Sequence, residues 1–335
     1  MPFTPFIPKN HPGRAAWLLF LLWRGLFTAQ ADTLYVKSYY NNLVPRFLYS
    51  YKSQITRFGE NLSDSLLSAD IFTTGHQNFM GGDLSYKWIT IGYNSTFNRE
   101  NSKSNTDLRF STSYKPYHIQ VNYTHLRNMN YLRLNNEEDT VFVLRERGIV
   151  LRNFGLKLEY VPGYRQFCYS SAYSQGGRQL RSKGSFLLSS GMCYQDFDLR
   201  GLSDSGAVKF ADRYGANVIR SSRIDFGVGY AYNWVIKKCL VLAISEIPNI
   251  GVQHVASSQG SFNSRQRSTV CFTNYVRSGL IYTANRFFVG AYLYNMVTAS
   301  KWQKFNYSNV YTSFQLYLGL VLDPPEMRRG KSRAS

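Results

Sequence analysis

The chain has 335 residues, a formal net charge of +19 and 16 % aromatic side chains, with 26 Tyr and 23 Phe against only 18 % charged residues. A mean hydropathy of -0.30 excludes a bundle of membrane-spanning helices, since each of those needs about 20 consecutive apolar residues. It leaves room for a membrane β-barrel, whose strands show only alternate residues to lipid, and the excess of Tyr and Phe favours strands.

At the N-terminus one apolar run, 15–23, follows Lys9, His11 and Arg14 and precedes Ala29-Gln30-Ala31. It is too short to span a bilayer. A basic start, a short apolar stretch and a small-residue site predict a signal peptide over 1–31, cleaved after Ala31. No Cys follows the cut, which argues against a lipoprotein. The leader carries three basic and no acidic residues, so its removal lowers the charge from +19 to +16. An exported protein this basic is expected to meet anionic partners, among them phosphorylated lipids, acidic glycans or a small anionic solute. No Zn-type Cys/His spacing and no recognition-helix pattern supports nucleic acid, and no cofactor motif is present.

Along the mature chain a first strand is expected around 44–56. Period-2 alternation then recurs. Ile89, Ile91, Tyr93 and Phe97 share one face, and Thr90, Gly92, Asn94 and Thr96 the other. Leu108 and Phe110 oppose Arg109 and Ser111; Ile119 and Val121 oppose His118 and Gln120; Leu156 and Leu158 oppose Lys157 and Glu159. The pattern returns over 224–234 and 310–322. Strands of about 9 to 13 residues with aromatic ends fit a membrane better than a soluble sheet, whose strands average about 5 to 6 residues. Short connections are expected at 87–88, 115–116, 161–166, 236–238 and 285–286. Longer ones are expected near 98–106, 127–150, 175–183, 253–267 and 299–306. Short periplasmic turns and long outer loops characterise outer-membrane barrels. With a further crossing in 199–221 the count is 14 strands; 12 is the alternative. The expected organisation is therefore a leader over 1–31, an antiparallel up-and-down outer-membrane barrel over 32–322 and a basic periplasmic tail over 323–335.

Several segments carry a resemblance: Asp83-Leu-Ser-Tyr-Lys-Trp88, Arg152-Asn-Phe-Gly155, Gly229-Tyr-Ala-Tyr-Asn-Trp234 and, most specifically, 174–187, Ser-Gln-Gly-Gly-Arg-Gln-Leu-Arg-Ser-Lys-Gly-Ser-Phe-Leu. Through most of the mature chain the sequence resembles a family of uncharacterised outer-membrane barrels of Gram-negative bacteria, defined as a domain of unknown function. The resemblance implies fold and location, with the outer-membrane lipids and the barrel-assembly machinery as partners, and it supplies no activity. The last strand runs on into Asp323-Pro324-Pro325 and basic residues, a departure from the usual terminal aromatic.

Three groups of side chains are candidates for chemistry. Arg178, Arg181 and Lys183, in an expected outer connection, would contact lipopolysaccharide phosphates or another anion; the alternative is a solvated loop, or an inward fold that pairs with Glu159 and Asp225. Arg109, Lys115, Lys157 and Glu159 are expected to line the lumen, either making a pore anion-selective or pairing within a filled interior. Cys168 and Cys193 are expected roughly opposite each other on consecutive strands, which would permit a disulfide. A structural, ligand-binding or small-solute channel role follows most directly. A membrane-embedded lipid-modifying enzyme would draw on His118 with Ser111 or Ser113, although no carboxylate to orient the histidine is evident. A soluble secreted β-sandwich or adhesin is the third class.

Overall fold

Alternation of apolar and polar residues at a period of two gives each strand one face for lipid and one for the interior, and in the computed structural model it closes into a barrel. The structure describes residues 32–60, 69–75, 77–96, 105–127, 129–135, 140–145, 149–174, 176–200, 217–259, 263–302 and 305–323. The expected leader, and the expected tail beyond Asp323, lie outside them.

Twelve strands form the ring: β2 (Leu43–Glu60), β4 (Gln77–Tyr86), β5 (Ile89–Thr96), β6 (Thr106–Tyr114), β7 (Tyr117–Arg127), β10 (Val150–Tyr160), β12 (Lys183–Asp198), β13 (Val218–Ile236), β14 (Leu240–Gln259), β15 (Asn263–Ala284), β16 (Phe287–Trp302) and β17 (Phe305–Leu320). Each pairs antiparallel with the next, and β17 pairs with β2 from Phe305↔Glu60 to Gly319↔Arg46, which closes the sheet. Closure leaves no open edge among the ring strands, the condition for a sheet in hydrocarbon. At the long-loop end, β3 (Ala69–Thr73) pairs antiparallel with the end of β2 and with β8 (Asn130–Asn135), which pairs with β9 (Thr140–Arg145). A two-stranded sheet of β1 (Val36–Ser38) and β11 (Gly177–Gln179) stands apart from the ring.

The all-β barrel is as the sequence predicts, and the ring has the lower of the two counts. The first strand, over 44–56, is present within β2. The crossing expected in 199–221 does not intervene, because β12 and β13 pair directly from Lys183↔Asn233 to Asp198↔Val218. Nor does the chain cross between 161–166 and 175–183. Tyr160 pairs with Tyr117 and with Leu188, so the whole of 161–182 connects β10 to β12 at the short-turn end. The long connections expected at 253–267 and 299–306 are largely strand, since β14 reaches Gln259 and β17 begins at Phe305.

The outer surface is apolar. Phe186, Phe226, Val228, Ile250 and Phe272 are more than half exposed. A soluble protein rarely exposes a contiguous apolar patch beyond a few hundred Å². On β13 the apolar outward residues run over 224–236, roughly 40 Å along the strand at about 3.3 Å per residue and roughly 30 Å across a bilayer at a tilt of about 40°. Aromatic pairs gather at the short-turn end: Trp88 with Tyr114 at 5.8 Å, Tyr117 with Tyr160 at 5.5 Å and Tyr232 with Trp234 at 4.7 Å.

The inside is layered. At the long-loop end an apolar cluster fills the barrel, with Phe72 of β3 packed on Phe197 at 4.8 Å, Tyr131 at 5.1 Å and Phe58 at 6.1 Å. At the other end the 161–182 segment turns inward, includes a short 3-10 turn at Tyr169–Ser171, and buries Phe167, Tyr169 and Ala172 against β12, β13, β14 and β15. Between these two apolar layers lies a polar one.

Candidate functional site: a filled lumen and its vestibule

The polar layer is built from inward positions that alternation assigns to the lumen. Burying a charge in this setting is costly unless a partner and further hydrogen bonds compensate it. Four carboxylates serve as the nodes. Glu159 of β10 lies 2.9 Å from Lys157 Nζ and 3.1 Å from Arg277 Nη1, and accepts a 3.0 Å hydrogen bond from Tyr169. Asp83 pairs with Arg46 and Asp107 with Lys52, and Arg109 bridges the two at 3.7 Å from each while donating to Gln315 Oε1 at 3.0 Å. Asp225 lies 2.9 Å from Arg223 Nε and accepts from Asn249 at 2.7 Å and Tyr275 at 3.3 Å. Aromatic rings hold the cations from the other side: Lys157 Nζ stands 3.7 Å over Tyr275, and the Arg277 guanidinium 5.5 Å over Tyr294. Among the described residues this layer includes cavities of about 90 and 60 Å³, each with room for a few water molecules.

The inserted segment is fastened by side chains on both sides. Gln179 accepts from the Cys168 N–H at 2.7 Å and donates to the carbonyls of Gln166 at 2.7 Å and Arg181 at 2.9 Å. From the wall, Asn233 donates to the Cys168 carbonyl at 3.0 Å, Tyr317 to that of Ala172 at 2.9 Å and Arg46 to that of Tyr173 at 2.9 Å. Gly279 of β15 makes the approach possible, since a Cβ there would stand 3.0 Å from the Ala172 methyl. The N-terminal segment joins in, with Asp32 N–H donating to the Arg165 carbonyl at 2.8 Å and Leu180 N–H to that of Tyr35 at 2.7 Å.

Beside this plug a cavity of about 1030 Å³ remains at the short-turn end. Its lining draws on the 33–42 segment, the short turns and the plug, and includes Tyr40, Ser85, Thr90, Ser113, His118 and Tyr164. Registers Ser113↔His118 and His118↔Glu159 place three groups side by side on β6, β7 and β10. Ser113 Oγ is 2.7 Å from His118 Nδ1. Glu159 Oε2, a carboxylate that the sequence assigns to the lumen without placing it beside His118, is 3.9 Å from Nε2. That exceeds hydrogen-bond length, and Glu159 is already engaged by Lys157, Arg277 and Tyr169.

The sequence-derived candidates are redistributed. Arg109, Lys157 and Glu159 face the lumen and are ion-paired there. Lys115 does not point in from a strand; it occupies the β6–β7 turn with a left-handed φ of 54° and borders the cavity. Arg178, Arg181 and Lys183 are not in an outer loop. They follow the plug at the short-turn end, where Arg178 donates to the Lys238 carbonyl and Arg181 and Lys183 lie 5.6 and 5.8 Å from the Tyr35 ring. The pairing with Glu159 and Asp225 is made instead by Arg277 and Arg223. All four cysteines are free thiols. Cys168 sits in the plug near Ser170, while Cys193 on β12 donates to Asn153 at 3.1 Å, so the expected cross-strand disulfide is not formed. Among the described residues no group of three or more His, Cys, Asp or Glu is placed to hold a metal ion.

The fold aligns with solved outer-membrane proteins at low identity. The outer membrane protease OmpT from Escherichia coli is 7 % identical with a TM-score of 0.43, over 88 % of this chain and 100 % of that one. OmpT, an outer membrane protein of Vibrio cholerae, gives 8 % and 0.27 over 81 % and 96 %. Ail, the attachment invasion locus protein of Yersinia pestis, gives 10 % and 0.19 over 81 % and 97 %. Identities this low transfer no activity. No curated protein matches the sequence. One family spans residues 30–320, nearly the whole described barrel, and the chain belongs to it: the Domain of unknown function (DUF4421) family.

Proposed function

We propose that this protein is an outer-membrane barrel that does not conduct and that takes a small ligand into the vestibule at its periplasmic end. The observation that supports this most is the division of the interior: an apolar layer and an ion-paired layer fill the long-loop end and the middle of the barrel, and a cavity of about 1030 Å³ remains beside the 161–182 segment. That volume is at the upper end for a small-molecule site, and a few polar groups among aromatic walls is the usual composition of one. The apolar outer belt and the short turns support insertion in a bilayer with the vestibule toward the periplasm.

Ser113→Cys in a Cys239→Ser background tests the reading. A polyethylene-glycol maleimide too large for porins is expected to label Ser113→Cys in spheroplasts and to leave it unlabelled in intact cells. Labelling from outside intact cells, or recovery of the protein in a soluble fraction, contradicts the proposal.

A further inference from the structure

At the short-turn end the tight turns carry cations where the backbone least favours them. Left-handed φ is adopted readily by Gly and Asn and costs other residues about 1–2 kcal/mol. Among the described residues five without glycine's freedom adopt it: Lys87 (φ 53°), Lys115 (54°), Lys237 (49°), Lys238 (58°) and Asn285 (52°). Four of these five are lysines, and Asn285 is followed by Arg286. The acids in the segments at this end, 32–42, 161–182 and 321–323, are Asp32 and Asp323, and Asp323 is already paired with Arg286.

The placement of these charges relative to the apolar belt is the second observation. Lys87 Nζ lies 5.4 Å from the Tyr86 ring and Lys115 Nζ 5.3 Å from the Tyr114 ring. Tyr86 is exposed on the outward face, and Tyr114 shares the outward alternation of Leu108 and Phe110. Lys87 thus stands at the level where the aromatic girdle ends and the lipid phosphates begin, and the exposed Lys237 and Lys238 follow the outward Trp234 and Ile236 of β13, whereas the Lys115 ammonium is buried beside the vestibule. Long cationic side chains bend toward that level, with their stems on apolar or aromatic surface and the ammonium in the headgroups.

We infer that the short-turn rim is a docking surface for anionic phospholipid, with the exposed Lys87, Lys237 and Lys238 contacting phosphates of the leaflet that meets the turns. The lysines act as point charges on headgroup phosphates, so charge matters more than headgroup shape, and the contact weakens with salt. The inference rests on the barrel lying in a bilayer and is otherwise independent of what the vestibule holds.

The test uses the full mature chain in mixed detergent–lipid micelles, with energy transfer from the native rim tryptophans Trp88 and Trp234 to dansyl-phosphatidylglycerol or dansyl-phosphatidylcholine. Asn at the three exposed positions removes the charge while easing the left-handed backbone, so the variant Lys87→Asn/Lys237→Asn/Lys238→Asn is expected to fold. The native protein should enrich phosphatidylglycerol over phosphatidylcholine about fivefold or more at low salt, with the preference falling toward unity in the variant and at high salt. Equal transfer to both lipids in the native protein, or an undiminished preference in the variant, overturns the inference. Transfer to neither lipid overturns the membrane reading and this inference with it.

Discussion

Tyr169, on the segment that enters the lumen, donates its hydroxyl proton to Glu159 Oε1 on the barrel wall at 3.0 Å, and Arg277 from the opposite wall binds both. The plug, β10 and β15 therefore meet at one carboxylate that is fully buried. Removing a single partner from such a cluster strands the remaining charges, whereas solvent-exposed pairs contribute little. Glu159→Gln is expected to destabilise the barrel by about 3–5 kcal/mol. Asp198→Asn, which breaks an exposed pair with Arg200, should cost less than about 1 kcal/mol. Urea titration of the heat-modifiable band reads both.

The cysteines should behave as four separate thiols. The intact mass is expected to be unchanged by reductant, and alkylation without reductant should reach every cysteine once the protein is unfolded. In the folded protein Cys239, half-buried at a short turn, should react first. Burial pushes the Cys168 thiol up to about 11 from an ordinary 9.0, so near pH 8 it holds about 100-fold less thiolate than an unperturbed cysteine. Cys168 should be the slower of the two, with its rate still climbing above pH 9.

Gln179 offers a way to loosen the plug from within, at the cost of one contact with the wall, the 3.3 Å hydrogen bond that its Oε1 accepts from Asn233. Its amide serves the Cys168 N–H and the Gln166 and Arg181 carbonyls, and Gln179→Leu leaves those groups unpaired at about 1–3 kcal/mol each. The expected result is faster maleimide labelling of Cys168 with little change in that of Cys239. Unchanged Cys168 labelling would show that the wall contacts from Asn233, Tyr317 and Arg46 suffice to hold the segment.

Ser113 and His118 form the arrangement closest to a nucleophile with its base, and the outcome turns on Glu159. With the carboxylate 3.9 Å away and held by two cations, it cannot fix the imidazole for proton transfer. A fluorophosphonate probe is expected to leave Ser113 unmodified over hours in detergent. Time-dependent labelling abolished by His118→Ala would establish the lipid-modifying reading instead.

Which face of each strand turns inward was legible in the sequence, because side-chain alternation is a local property. Ile89 and Ile91 outside, with Thr90 and Gly92 inside, hold as the pattern predicts, and of the two roles open to Lys157, lining an anion path or pairing with Glu159, the structure shows the pair. The partner Arg277 is 118 residues from Glu159, and nothing local points to it. The sequence tied the strand count to a first strand over 44–56 and a crossing in 199–221, and it also placed Cys168 on a strand within 161–182, where Phe167, Tyr169 and Tyr173 carry the same aromatic content as a crossing strand. What turns that segment inward is distant: space at Gly279 and donors at Asn233, Tyr317 and Arg46. The family-specific stretch 174–187 proves to be the plug's return into β12, with Gln179 at its centre.

Single-channel recording in planar lipid bilayers tests the filled lumen most directly, on protein whose insertion is verified by the faster gel migration of the unboiled form. Inserted protein is expected to give no steady conductance steps. Sustained anion-selective steps would contradict it, because they require Arg109, Lys157 and Arg223 to line an open water-filled path instead of holding Asp107, Glu159 and Asp225 in ion pairs.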